Sequence, residues 1–210
     1  MLETDFHQHP LVLASASPRR NYLLGELGFS FLVDPSHIDE SKIPATTHRE
    51  FALKAALAKA GEVASRHQNS LVIGADTVVC IDQELLGKPA DRQEAHDMLM
   101  RLRGRFHTVI TGVALVESGS GNAHLDAVKT KVFFKRFTRK TLERYLQSGD
   151  SLDKAGAYGI QGEGERLVHH IEKDYFNVMG LPLECLLNLL SHYGDVGEYE
   201  ERLRELRRPF

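Results

Sequence analysis

The chain has 210 residues, 42% hydrophobic and 26% charged, with a formal net charge of −3. Such a chain can form one domain of two lobes or two small domains, with an ordinary core. The slight negative charge argues against a general nucleic-acid binder, and no apolar run approaches the roughly 18 residues of a membrane helix.

Residues 1–10 (MLETDFHQHP) read as a loose polar tail, unlike a signal or transit peptide. Residues 11–14 follow as a short buried strand. Ser17 as N-cap and Pro18 at the first helical position open a helix over 18–27, closed by Gly28 just past its end. Arg19 and Arg20 fall in the first turn of that helix. The macrodipole favours acids there by about 0.3–1 kcal/mol, yet no acid appears before Glu26. Two guanidiniums beside open backbone N–H groups call for an anion, most simply phosphate. The alternative is a solvated basic helix start.

Residues 29–33 read as a second strand and 34–45 as a polar loop with an acidic pair, Asp39 and Glu40. Thr47-His48-Arg49-Glu50 is a capping box, opening a helix to about Arg66. Its apolar face carries Leu53, Ala56, Leu57, Ala60, Val63 and Ala64 at helical spacing, with Lys59 beside it. Lysines so placed ordinarily snorkel. Residues 71–81 (LVIGADTVVCI) are a fully buried strand by their continuous apolar run, broken only at Asp76 and Thr77. Gly87-Lys88-Pro89 is a turn. Asp91 with Glu94 caps a helix to about Arg103, ended by Gly104. Residues 106–117 and 124–135 are two long strands joined by a hairpin at 119–121. A short helix at 138–146 precedes a glycine-rich structured loop at 149–164. Strand material within 166–178, an apolar helix at 182–190 and a charged tail at 193–210, helical over 198–208, complete the chain. This order predicts an α/β fold with a mixed sheet, residues 11–192 forming a single domain. Cys80 and Cys185 lie in apolar runs and read as buried free thiols, in keeping with a reduced intracellular compartment.

Asp76 is the sharpest chemical signal. A carboxylate inside an apolar strand costs several kcal/mol unless it is paired or bound to a metal. Gly74, two residues earlier on the same face, leaves room for a ligand. Asp76 then reads as a metal ligand or general base, or else as a side chain satisfied by backbone N–H groups at a bulge. Glu40 or Asp39 can supply a second carboxylate, or be an ordinary acidic loop. Mg²⁺ is typically held by one or two carboxylates plus substrate phosphates, which suits Asp76 with Glu40. Lys59 and Lys88 read as phosphate partners or as surface lysines. The eleven histidines show no metal spacing, and His169 and His170 point to opposite sides of a strand. No Walker A, Rossmann or nucleophile-elbow pattern occurs. An anion site without a nucleophile motif points to metal-assisted attack by water with a carboxylate base.

Several blocks together resemble the Maf family of nucleoside triphosphate pyrophosphatases. They are ASASPRR at 14–20, Asp39-Glu40-Ser41, Lys59-Ala60, IGADTVV at 73–79, GKP at 87–89, GRFHTVITGVAL at 104–115 and DKAGAYGIQG at 153–162. The resemblance implies a strongly twisted mixed sheet flanked by helices, in two lobes around a deep cleft, an architecture shared with ITPase-like proteins. It implies hydrolysis of a nucleoside triphosphate to the monophosphate and pyrophosphate with Mg²⁺ or Mn²⁺, in a cytoplasmic homodimer that binds neither nucleic acid nor membrane. By matching block, Asp76 is the catalytic carboxylate, and Glu40 with Asp76 holds the metal. Ser15, Arg20, Lys59 and Lys88 line the phosphate site, while Arg19, Thr77 and Gln161 bear on substrate choice. The DKAGAYGIQG block is similar to that of the branch acting on dTTP and UTP. The Gln161 amide can meet both the N3–H and a carbonyl of thymine or uracil, and the glycines let backbone approach the base. A nucleotide-binding regulator of cell division without rapid turnover, and a pyrophosphatase for purine or 7-methyl-GTP, are the alternatives. Position 16 is Ala where many relatives have Gly, Arg105-Phe106 is unusual, and Arg139, Lys140 and residues 202–208 match nothing in the family pattern.

Overall fold

The computed structural model describes residues 9–207. Residues 1–8 of the expected tail and 208–210 at the chain's other end lie outside the described residues. Seven strands form one mixed sheet: β1 (Leu11–Leu13), β2 (Phe31–Val33), β3 (Leu71–Ile81), β4 (Glu84–Leu86), β5 (Phe106–Glu117), β6 (Ala123–Phe134) and β7 (Val168–Glu172). Their order is β2-β1-β3-β5-β6-β7, with β4 paired to β3. β1 runs parallel to β2 and β3, whereas β4 is antiparallel to β3 and β7 to β6. The helices are α1 (Pro18–Glu26), α2 (His48–Ala64), α3 (Arg92–Leu102), α4 (Arg139–Gln147), α5 (Tyr175–Met179), α6 (Leu183–Leu190) and α7 (Gly197–Leu206). The expected α/β class with a mixed sheet is what forms.

The chain divides into two compact units. The first runs to Asp76 and takes in Thr111–Val128 and the chain from Gly180; the second comprises Thr77–Ile110 and Lys129–Met179. Within the first, α2 lies on the sheet through alanines: Val12, Ala14, Val72, Ala114 and Val116 meet Ala56, Ala60, Val63 and Ala64. Two glycines set how close it lies. A Cβ on Gly74 would strike the carbonyl of Ala56 and stand 2.9 Å from the Ala60 side chain, and one on Gly112 would strike the carbonyl of Ala52. The space beside Gly74 is thus filled by α2 and not open to a ligand, contrary to the expectation from sequence. Glycine here permits close approach of backbone to backbone.

Local details also depart from the sequence reading. Ser17 occupies the N-cap position of α1, but its side chain makes no capping bond; Ser15 Oγ instead accepts from Ser17 N at 3.2 Å. Thr47 caps α2 by accepting from Glu50 N at 3.1 Å, and Glu50 reaches back to Thr46 N at 2.8 Å. The loop 34–45 contains a 3₁₀ turn, Glu40–Lys42, capped by Asp39, and β4 is an additional short strand. His169 and His170 do not point apart. The β6–β7 register shifts between Phe133 and Phe134, and the two ring Nδ1 atoms lie 2.7 Å apart. The extra residue of such a bulge breaks the two-residue alternation. Cys80 and Cys185 are buried and form no disulfide, as expected.

Candidate active site

A polar cluster forms in the first unit, its side chains supplied by α1, α2, β3, the segment just after β1 and the 3₁₀ turn Glu40–Lys42. Asp76, at the unit's end of β3, is 5% exposed. Its Oδ1 accepts from Lys59 Nζ at 2.7 Å. The same Nζ lies 2.6 Å from Glu40 Oε1, contributed by the exposed 3₁₀ turn. Lys59 belongs to the α2 turn that also holds Ala56 and Ala60, the residues packed on Gly74. The close approach that glycine permits therefore carries Lys59 to the β3 carboxylate. Lys59 does not snorkel; its side chain is only 13% exposed. Asp76 is satisfied by an ammonium and not by a backbone bulge, as a buried carboxylate must be by some partner. Its other oxygen, Oδ2, has no hydrogen-bond partner among the described residues.

The arginines differ from one another. Arg20 donates from Nε to the Gly180 carbonyl at 2.8 Å and from Nη1 to Ser15 Oγ at 3.0 Å. Burial lowers its pKa; Asp76 and Glu40 oppose that shift, and Arg19 adds to it. Arg20 is thus within the field of both carboxylates and fixed by chain segments distant in sequence. Arg19 is half-buried and has no ion pair or side-chain hydrogen bond among the described residues. With no acid in the first turn of α1, its charge is uncompensated by its own helix.

Glu40 and Asp76 converge on one cation, the Lys59 ammonium. Among the described residues no three His, Cys, Asp or Glu side chains gather as a metal cage. Two hard carboxylates without further protein ligands fit a divalent ion that takes its remaining oxygens from water and phosphate.

Ser15, Arg19, Arg20, Lys59, Glu40 and Asp76 all belong to the first unit, whereas Thr77, Lys88 and Gln161 belong to the second. Residues 87–89 are not the turn expected from sequence but an irregular link after β4, where Lys88 is exposed; Gln161 is exposed at the start of the 3₁₀ turn Gly162–Leu167. The glycines of that loop mostly serve packing. Gly156, at φ +71°, lies against Val79, Gly159 against Lys154, and Gly164 against the Gly159 carbonyl; Gly149, at φ +80°, and Gly162, at φ +63°, have open space where a side chain would stand.

Two residues unnoticed in the sequence hold this loop. Tyr145 Oη accepts from Gly159 N at 3.1 Å. Tyr158 Oη and His107 Nε2 share a hydrogen bond at 2.7 Å, buried, with Phe134 edge-on to both rings. Burial pushes the His107 pKa down to about 3 and the Tyr158 pKa up. Strand alternation in FHTV, which turns His107 inward and Phe106 out, was the available signal.

These features can be set beside known proteins. A dTTP/UTP pyrophosphatase of Moorella thermoacetica is 50% identical over 187 residues, covering 88% of this chain and 95% of the relative. Those of Symbiobacterium thermophilum and Dictyoglomus turgidum are 46% and 43% identical over 185 residues, covering 94% and 96% of those relatives. The solved structure of a HAM1 protein from Coxiella burnetii matches with a TM-score of 0.50 at 16% identity, over 94% of this chain and 98% of that one, a likeness of fold alone. The family model described as Maf-like protein matches residues 10–193, and the chain belongs to the Maf family.

Proposed function

We propose that this protein is a nucleoside triphosphate pyrophosphatase that hydrolyses dTTP and UTP to the nucleoside monophosphate and pyrophosphate. Water attacks the α-phosphorus, the bond from that phosphorus to the α–β bridging oxygen breaks, and pyrophosphate leaves with that oxygen. The proton of the attacking water passes to Asp76 Oδ2, then to solvent. The observation that carries the reading is the buried Asp76, with one oxygen held by Lys59 and the other without a partner. A carboxylate fixed in this way is oriented as a general base. Relatives of 43–50% identity over most of their length bear the name dTTP/UTP pyrophosphatase.

Glu40 and Asp76 would hold the divalent metal, Mg²⁺ or Mn²⁺, which when bound polarises the phosphoryl group and offsets the charge that develops on pyrophosphate. Arg19 meets a phosphate oxygen directly. Arg20, fixed by Ser15 and Gly180, holds positive charge beside Asp76. Lys59 and Lys88 neutralise further phosphate charge. Gln161 and Thr77 bear on the base, with the exposed Gln161 amide matching the N3–H and carbonyl of a pyrimidine. The cytoplasm and a homodimer complete the proposal, the latter tested by light scattering of the purified protein.

The test of the reaction is a panel of normal and modified nucleoside triphosphates incubated with the protein and Mg²⁺ or Mn²⁺, with products separated. Monophosphate and pyrophosphate in equal amounts, fastest from dTTP and UTP and stopped by EDTA, are expected. Release of inorganic phosphate alone, or binding without turnover, would overturn the reading. The second outcome would favour a nucleotide-binding regulator.

A further inference from the structure

Helices α3 and α4 pack against each other within the second unit. Beside them lies a hollow of about 500 Å³. Its walls are His96, Met100 and Arg103, on one face of the α3 segment, and Phe137, Arg139 and Leu142 at the start of α4. Phe137 and Leu142, 5% and 1% exposed, form an apolar floor, whereas the arginines are exposed at the rim. No acidic residue lines it.

The arginines carry the argument. Elsewhere in this unit Arg92, Arg101, Arg105, Arg144 and Arg166 are each paired with a carboxylate. Arg103, Arg136 and Arg139 are not, and of these Arg103 and Arg139 line the hollow. Arg103 is set in place by its Nε, which donates to the Phe137 carbonyl at 2.6 Å, and its guanidinium stands 5.9 Å over the Phe137 ring. Its Nη groups have no acceptor among the described residues, and neither has the Arg139 side chain. Two uncompensated guanidiniums therefore meet at an apolar hollow of the size that takes a small organic ligand. The amino-terminal turn of α4, without an acid, opens on the same rim.

We propose that this hollow is a second binding site, for a small anion with a flat apolar body, its ring against Phe137, Met100 and Leu142 and its charge between Arg103 and Arg139. It shares no lining residue with the Asp76 cluster, and its occupancy does not depend on the proposed reaction.

The test is an amide-resolved NMR titration of the whole chain with phenyl phosphate. Saturable shifts at Met100, Arg139 and Leu142 are expected. Inorganic phosphate and benzyl alcohol, each supplying half of the interaction, are expected to bind there at least about tenfold more weakly. Arg139→Gln weakens phenyl phosphate about tenfold without changing the melting temperature, because Arg139 is exposed and unpaired. Asp76→Asn leaves these shifts unchanged. Shifts absent from these residues, shifts that survive Arg139→Gln or vanish with Asp76→Asn, or inorganic phosphate binding as tightly as phenyl phosphate would each overturn the proposal.

Discussion

Lys59 Nζ donates to Asp76 Oδ1 at 2.7 Å while the two side chains are only 13% and 8% exposed. Forming such a pair yields little net stability, because desolvation offsets the attraction, but removing one partner strands the other. Lys59→Met is therefore expected to cost about 3 kcal/mol. Adding Asp76→Asn to it should recover part of that loss, with a coupling of about 1–3 kcal/mol in a double-mutant cycle by urea unfolding. Strictly additive costs would show that the two residues do not depend on each other.

Asp76→Asn alone separates chemistry from folding. The amide keeps an oxygen for Lys59 but removes the carboxylate proposed to take the proton. Pyrophosphate release is expected to fall by a factor of about 100 or more, the usual contribution of a general base, while the urea midpoint moves little. A folded variant with near-normal turnover would remove Asp76 from the mechanism.

How much of this was legible beforehand depends on distance along the chain. Strand β3, the caps at Thr47 and Asp91, and the hairpin at Gly119 and Gly121 follow from local chemistry, and the sequence reading placed them closely. Asp76 stood out because a charge within an apolar run is costly by itself. Lys59 did not, since only the packing of α2 on Gly74 decides whether its ammonium reaches solvent or a carboxylate. The same blindness applied to Arg20, whose partners Ser15 and Gly180 lie five and 160 positions away. For Gly74, sequence shows a missing side chain but not that α2 fills the gap.

Gly74→Ala tests that close approach. The added methyl group meets the Ala56 carbonyl and the Ala60 side chain, so α2 must shift from β3. A loss of about 1–3 kcal/mol is expected from overpacking, measured by urea unfolding. Because Lys59 moves with α2, turnover should fall as well at temperatures where the variant is fully folded. A variant as stable and active as the parent would mean that the helix has room to spare.

The arginine pair should divide its labour. Arg19 has no protein partner among the described residues, so Arg19→Ala is expected to raise KM for the triphosphate about tenfold, with an unchanged melting temperature. Arg20 ties Ser15 to Gly180, so Arg20→Ala should lower the melting temperature by several degrees in addition to weakening turnover. Equal thermal losses from the two variants would contradict this division.

His107 gives the stability a pH dependence of known sign. Its folded pKa is lowered from 6.5 to about 3 by burial, so between those values the unfolded chain binds a proton that the folded chain refuses. Its contribution is complete above pH 6.5 and is lost as pH falls toward 3, with a slope approaching about 1.4 kcal/mol per pH unit. Glu50, held down to about 2 by Lys54 and Thr46, acts in the same direction but only below its ordinary 4.5. The window from pH 4.5 to 6.5 therefore isolates the histidine. His107→Phe strands the Tyr158 hydroxyl and lowers stability at every pH, yet it should flatten the decline between pH 6.5 and 4.5 relative to the parent. Parallel denaturation curves for the two proteins across that window would show that His107 charges as readily in the folded state as in the unfolded one.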